Sequence, residues 1–262
     1  MKKVFSISDD NVVLVTGAAG GLGSCFVRQL RDKKATVIAT DSVKTDDNMV
    51  DEVLDVTDYK QCLKLAEKYS PNIWINNAGI LGAGLIENID MSLVEKVIQV
   101  NLIGVINGTK AAIEVMKKKG GGSILNIGSL ASYSPTYGIG IYSASKFGVR
   151  GFTHTTAQEV KKHNIFLSLL CPDGVWTPML QAEVNNADAK MPFSSGKLLE
   201  PEMVVKAGIE LIESKSLTKS LPLYRALLAR LSGEVPNLVS NLAKMTSDIG
   251  SKTQAKYKNY LN

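Results

Sequence analysis

A run of eight residues, Thr16-Gly17-Ala18-Ala19-Gly20-Gly21-Leu22-Gly23, limits the fold more than any other part of the chain. It lies between the apolar, β-branched stretch VVLVT (12–16) and the amphipathic stretch SCFVRQLRDK (24–33), and so reads as a glycine turn joining a buried strand to a helix. Glycines in such a turn let the backbone approach a pyrophosphate closely, and the free N–H groups and positive dipole end of the helix point at its charge. Glycine spacing alone is weak evidence. The strand before and the helix after make Gly17, Ala19, Gly21, Leu22 and Gly23 a candidate dinucleotide site.

The rest of the chain repeats this alternation. Further short apolar runs, ATVIAT (35–40), IWINNA (73–78), SILNIGS (123–129), IFLSLLCP (165–172) and a weaker SLTKSLPL near 216, are separated by longer helical patterns. Strands that read as continuous apolar runs between helices describe a parallel sheet covered on both faces. The expected fold is therefore α/β, a single-domain doubly wound Rossmann-type fold with a mainly parallel sheet. The crossover between Asp41 and Asp55 is short and rich in Asp and Lys, so little helix is expected there. From Asp90 to Lys119 one long helix is expected, capped by Asp90 or Ser92 and closed by Gly120-Gly121-Gly122. Its middle, VIQVNLIGVI (97–106), is apolar on almost every side, which predicts a second cover, most simply another subunit in a homodimer or homotetramer.

With 262 residues and 45% hydrophobic content the chain can bury one large core, read as a domain over 1–221 with a tail over 222–262. Cys25, Cys62 and Cys171 are widely spaced and odd in number, fitting neither a disulfide framework nor a metal site. His154 and His163 lack acidic or cysteine partners at ligand spacing, so no metal is expected. No apolar run reaches membrane-spanning length, and MKKVFSISDD turns polar too early for a signal peptide, so a cytoplasmic protein is expected. The net charge of +5 arises in the tail: residues 1–218 hold 23 basic and 23 acidic side chains, residues 219–262 hold 7 and 2. A neutral body gives no support for nucleic-acid binding.

At the end of the second strand, eighteen residues after Gly23, stands Asp41, placed to accept hydrogen bonds from the adenosine ribose and to repel a 2′-phosphate. No Arg or Lys occupies the glycine turn or follows Asp41 directly, although Lys44 is near in sequence; NAD is favoured over NADP.

The pattern Thr16-Gly-x-x-x-Gly-x-Gly, joined to Asn76-Asn77-Ala78-Gly79, Asn101, Ser129 and Tyr142-x-x-x-Lys146, closely resembles the short-chain dehydrogenase/reductase family over residues 11 to about 215. The resemblance implies NAD(P)-dependent interconversion of an alcohol and a ketone by Asn101, Ser129, Tyr142 and Lys146. It further implies adenine contacts from Asp55 and Val56, and a cofactor centre lined by Asn77, Ala78 and Gly79. It makes Asn101 the holder of a water beside Lys146. A non-catalytic NAD-binding sensor of the same fold is the alternative, opposed by the four intact residues. A sugar-nucleotide epimerase or dehydratase is disfavoured by the glycine spacing and small C-terminal region.

The chemistry is coherent without the family. Oxidising a secondary alcohol requires a base for the hydroxyl proton, and a free tyrosine is mostly neutral at pH 7. Lys146, four residues after Tyr142, shares its helical face. An ammonium about 4 Å from the phenolate is worth roughly 4 kcal/mol, or about three pKa units, which predicts a Tyr142 lowered into the working range. Ser129 ends a strand in IGSLAS and is expected to orient the substrate oxygen beside it.

Further on, Pro172-Asp173-Gly174-Val175-Trp176-Thr177-Pro178 resembles the family's Pro-Gly-x-x-x-Thr turn, which holds the nicotinamide through Pro172, Gly174, Val175 and Thr177. Asp173 stands where that turn has glycine, so either the turn shifts by one residue or Asp173 projects toward the nicotinamide. The segment 179–199 reads as a mobile lid. Trp176, Met179, Leu180, Met191, Phe193, Leu130, Tyr133 and Tyr137 suggest a pocket for an apolar substrate, with half of them expected in the core instead. In the tail, Leu223, Ala226, Leu227, Arg230 and Leu231 form an apolar stripe with a basic edge, continued by Leu238, Leu242 and Met245. Cover for the active site or a subunit is its favoured use, peripheral contact with an anionic membrane the less favoured.

Overall fold

The computed structural model describes residues 4–45, 49–235 and 243–260, the last without the side chains of 243–245. Strands β1 (Val12–Thr16), β2 (Thr36–Asp41), β3 (Glu52–Val53), β4 (Ile73–Asn76), β5 (Gly122–Ile127), β6 (Ile165–Pro172) and β7 (Thr218–Leu221) form one sheet in the order β3-β2-β1-β4-β5-β6-β7. Every pairing is parallel. Both faces are covered: Val13 and Val15 join the core under helices α1 (Gly21–Asp32) and α7 (Pro201–Glu213), while Leu14 between them joins the opposite core. This is why VVLVT carries no polar alternation. The chain leaves β1 for β2 on one side and returns to β4 on the other, which opens a crevice above the carboxyl ends of these strands.

Two elements differ from the sequence expectation. Strand β3 has no apolar run to announce it, being two residues at the exposed sheet edge, and α2 (Tyr59–Tyr69) follows it. The long helix is interrupted. Asp90 caps α3 (Met91–Ile98) by accepting the Ser92 N–H at 2.7 Å, and α4 (Gly104–Lys119) ends at Gly120 in the left-handed conformation, but a π-helical turn, Gln99–Ile103, divides them. In the apolar middle Val97 and Val105 are buried, whereas Leu102, Ile103 and Ile106 stay half-buried.

Helix α5 (Gly140–Val160) packs on α3, the π turn and β6. The expected lid contains a short helix α6 (Pro178–Gln181) and a 3-10 turn, Met191–Phe193, and is itself packed: Leu180, Val184, Phe193 and Leu198 are buried together with Leu81, Ala131 and Ile139. Helix α8 (Leu223–Glu234) follows β7, and α9 (Ala243–Lys258) lies across the lid. Gln254 donates to the carbonyls of Glu183 and Asn186 at 2.9 and 2.8 Å, and the Tyr257 hydroxyl accepts the Leu198 N–H at 3.2 Å. These bonds join the lid to α9. In the stripe of α8, Ala226 is buried, while Leu223, Leu227 and Leu231 are 69%, 56% and 51% exposed, and Leu231 lines a cavity. Leu238, Leu242 and the Met245 side chain lie outside the described residues.

Candidate functional site

One cavity of about 1300 Å³ runs along the carboxyl edge of the sheet, from Asp41 past the glycine turn to Tyr142 and on to the lid and tail helices. At one end the glycine turn is built by close contact. Gly17 adopts φ +68°, and a Cβ there would lie 2.8 Å from the Ala78 Cα. A Cβ on Gly21 would lie 2.8 Å from the Thr177 Cβ, so the turn that carries Thr177 sits directly on the glycine turn. A Cβ on Gly23 would come 1.9 Å from the Gly17 carbonyl oxygen; Gly23 is absent from the cavity wall and serves close packing of helix on strand. Ala19 is also off the wall, its N–H donating to Asp41 Oδ2 at 3.0 Å, which aims that carboxylate at the turn. Helix α1 begins at Gly20 with no side-chain cap and no acidic residue in its first turn, leaving its N-terminus suited to an anion.

Asp55 and Val56 line the same end, as do Gly17, Gly21 and Leu22. Asn77, Ala78 and Gly79 line the centre, but the Asn77 side chain is spent on the protein: its amide donates to the carbonyls of Thr16 and Gly17 at 2.9 and 3.0 Å. The Thr16 hydroxyl accepts the N–H groups of Asn77 and Ala78, both at 3.0 Å. Beneath, a buried polar chain that no motif announced joins four elements, β4, α4, β5 and α5: Asn76 donates to Thr109 and Asn126 at 3.0 and 2.8 Å, and Asn126 donates to Thr153 at 2.9 Å. Trp74 completes it by donating to Asn76 at 2.8 Å. The only sequence hint was asparagine within apolar strands.

Ser129, Tyr142 and Lys146 share the middle of the cavity. Ser129 leaves β5 in extended conformation and caps the 3-10 turn Leu130–Ser132, its Oγ accepting the Ala131 N–H at 3.1 Å. Lys146 is buried, donates to the Ile127 carbonyl at 2.9 Å, and lies 5.5 Å from the centre of the Tyr142 ring. Burial pushes the Tyr142 phenol up to about 12, opposed by its hydrogen bond with Ser129. Burial also draws the Lys146 ammonium down to about 8. The amine sits over the ring and bonds a carbonyl, and burial is the largest influence on the phenol, acting upward.

Asn101 lies in the π turn, fully buried and off the cavity wall. Its amide is matched to the Ile80 backbone at both ends, donating to the carbonyl and accepting the N–H at 2.8 Å each, and it also reaches Ser145 at 3.3 Å. With its side chain so occupied, it holds the chain at Ile80. A Cβ on Gly79 would lie 3.2 Å from Asn101 Oδ1 and 3.8 Å from Lys146 Nζ.

Pro172, Gly174, Val175 and Thr177 all line the cavity. Asp173 does so as well, but its carboxylate accepts from Arg225 Nε of α8 at 2.8 Å, so it turns to the tail. Gly174 stays glycine because a Cβ there would meet the Pro192 carbonyl oxygen at 2.3 Å. Of the expected apolar pocket, Leu130, Tyr137, Met179, Leu180 and Met191 line the cavity. Phe193 is core, Trp176 stacks on Tyr257 at 4.7 Å, and Tyr133 lies between Arg150 and Arg230. Arg225, Leu228 and Ile249 of the tail join the wall, unannounced by any motif.

Residues 11–188 match the short chain dehydrogenase family. The chain is 33% identical to the 3-oxoacyl-acyl-carrier-protein reductase FabG of Thermotoga maritima, over 79% of this chain and 92% of that protein. It is 34% identical to a 3-alpha-(or 20-beta)-hydroxysteroid dehydrogenase of Mycobacterium bovis, over 64% and 70%. In fold it is similar to the crystal structure of a short chain dehydrogenase from Burkholderia cenocepacia in complex with NADP, with a TM-score of 0.77, 22% identity, and 91% and 99% of the two chains covered. The chain belongs to the short-chain dehydrogenase/reductase family of oxidoreductases.

Proposed function

We propose that the protein transfers a hydride between NAD(H) and a secondary alcohol or ketone, with Tyr142 as general acid and base. The observation that carries this is the single cavity holding Asp41, the glycine turn, Ser129, Tyr142 and Lys146. The residues fit a dinucleotide: at Gly17, Gly21 and Gly79 the wall is bare backbone beside crowded neighbours, and an uncapped helix end faces the same space. Asp41 at the far end supports NAD over NADP, because a carboxylate there accepts from ribose hydroxyls and repels a 2′-phosphate. The names of the two relatives, an oxoacyl reductase and a hydroxysteroid dehydrogenase, support carbonyl and hydroxyl chemistry.

When bound, the nicotinamide supplies or accepts the hydride. This chain's residues manage the proton and the oxygen. Tyr142 takes the hydroxyl proton in oxidation and returns it in reduction. Ser129, already hydrogen-bonded with the phenol, holds the substrate oxygen beside it. Lys146 keeps a positive charge near the phenolate and is anchored by Ile127. Asn101 acts as a positioning residue through Ile80. The half-buried Leu102, Ile103 and Ile106, with Phe147 39% exposed on α5, support a homodimer or homotetramer.

Titration with NADH, followed by a panel of ketones scored by NADH oxidation, tests this reading: binding with turnover that Tyr142→Phe abolishes is the expected result. Binding with no turnover across the panel would favour the sensor alternative.

A further inference from the structure

The nicotinamide turn carries a carboxylate where the family pattern has glycine, and the structure gives that carboxylate a fixed partner. Asp173 is 9% exposed at its side chain and accepts from Arg225 Nε at 2.8 Å. The same guanidinium donates from its NH2 nitrogen to Ser194 Oγ at 2.9 Å, so one side chain from the tail joins the turn to the lid. All three residues line the cavity. Among the described wall residues contributed by the turn, the lid and the tail helices, Asp173 and Arg225 are the charged ones, and they neutralise each other. The same cavity wall includes Met179, Met191, Leu228 and Ile249, along with Ser232, Thr246 and Ser247.

A guanidinium at the wall of an apolar cavity is a strong receptor for a carboxylate or phosphate, through paired, charge-assisted hydrogen bonds. Here its Nε already donates to an internal carboxylate and its NH2 nitrogen to Ser194, and the carboxylate cancels its charge. An anionic substrate would have to displace Asp173 or lie beside it as a like charge, with hydroxyl side chains but no second cation on the described turn, lid and tail wall to replace its lost hydration. An uncharged ketone meets neither penalty. We propose that Asp173 sets the charge selectivity of the substrate site by occupying Arg225, so that the site takes uncharged, mainly apolar secondary alcohols and ketones and refuses analogues bearing a carboxylate at their far end. This rests on the reading of the cavity as a dehydrogenase site. It departs from a purely structural role for the pair, which would leave the preference between neutral and anionic ligands unaffected.

The test uses two ligands of equal length, 2-undecanone and 10-oxoundecanoic acid, bound to protein saturated with NAD+ and measured by calorimetry. With the oxidised cofactor a ketone has no hydride to receive, so affinity is read without turnover. The wild-type protein is expected to bind 2-undecanone at least about tenfold more tightly than the keto acid. Asp173→Asn keeps the side-chain shape, removes the charge and is expected to shift the ratio of the two affinities toward the keto acid by about tenfold or more. Adding Arg225→Met to that variant is expected to cancel the shift. Equal changes in both affinities on Asp173→Asn, a wild-type protein that binds the keto acid as well as the ketone, or one that binds neither, would each overturn the proposal. Absence of NADH-dependent turnover of 2-undecanone with the binding preference intact would strike the dehydrogenase reading alone.

Discussion

Replacing Lys146 by methionine separates the two consequences of burying an amine beside Tyr142. Lys146 Nζ lies 5.5 Å from the centre of the Tyr142 ring. Taking that ring-centre distance for the separation of the charges, an ammonium and a phenolate at an effective dielectric near 20 attract by about 3 kcal/mol, or roughly two pKa units. Burial pushes Tyr142 up to about 12, and a positive charge beside the ring opposes such a rise. The rising limb of kcat/KM against pH for alcohol oxidation is expected to move up by about two units in Lys146→Met, with activity near pH 8 falling ~100-fold. Stability changes in a second way. The Lys146 pKa in the fold is about 8 against an ordinary 10.5, so the unfolded chain binds more protons between those values. Wild-type stability therefore rises with pH across that window, by up to about 3 kcal/mol, and is lowest where the lysine is fully charged below it. Lys146→Met is expected to lose this rise, at the cost of ~1–3 kcal/mol for an Ile127 carbonyl left without its donor. Urea titrations from pH 7 to 10.5, paired with pH-rate profiles, measure both. An unmoved kinetic limb, or a variant that retains the pH-dependent gain, would refute the assignment of a buried cationic lysine acting on Tyr142.

Three further outcomes are expected. Gly23→Ala should abolish dinucleotide binding and lower the melting temperature, because its Cβ would meet the Gly17 carbonyl oxygen at 1.9 Å, and backbone cannot yield as a side-chain tip does; fluorescence titration with NADH and a thermal melt check this. Asp41→Ala should weaken NADH and strengthen NADPH binding, shifting the preference by about tenfold or more, as read from paired titrations. Asn126→Leu should destabilise the fold by about 2–4 kcal/mol in urea unfolding, since it strands buried groups of Asn76 and Thr153, which bond Asn126 at 2.8 and 2.9 Å.

The sheet was readable because a parallel strand buried on both faces writes itself as an uninterrupted apolar run, as VVLVT and IFLSLLCP do. Strand β3 was not, because two edge residues, Glu52 and Val53, need no such run. Ser129, Tyr142 and Lys146 were legible as a pattern of spacings, and their common cavity follows from the fold. The state of the groups was not legible: a four-residue spacing puts Lys146 on the face of Tyr142, yet only the position of the Ile127 carbonyl decides where the ammonium settles. Asn101 shows the same limit, since the π turn and the Ile80 backbone that occupy its amide leave no trace in local sequence. Asp173 was visible as a departure from a pattern, but its partner is 52 residues away in a region with no motif. Long-range pairs of this kind depend on where a tail helix docks, which amphipathic spacing does not specify: in the stripe on α8, Ala226 is buried and Leu231 lines the cavity, while Leu223 and Leu227 are exposed.

The most direct test of the central claim follows the hydride and the proton together. Protein incubated with NADH deuterated at the transferable C4 position and 2-undecanone should yield 2-undecanol carrying deuterium at the carbinol carbon, and Tyr142→Phe should bind the same NADH with similar affinity and transfer no label. Label transfer that persists in Tyr142→Phe, or unlabelled alcohol from the wild-type protein, would contradict a hydride-transfer site with Tyr142 as its acid and base.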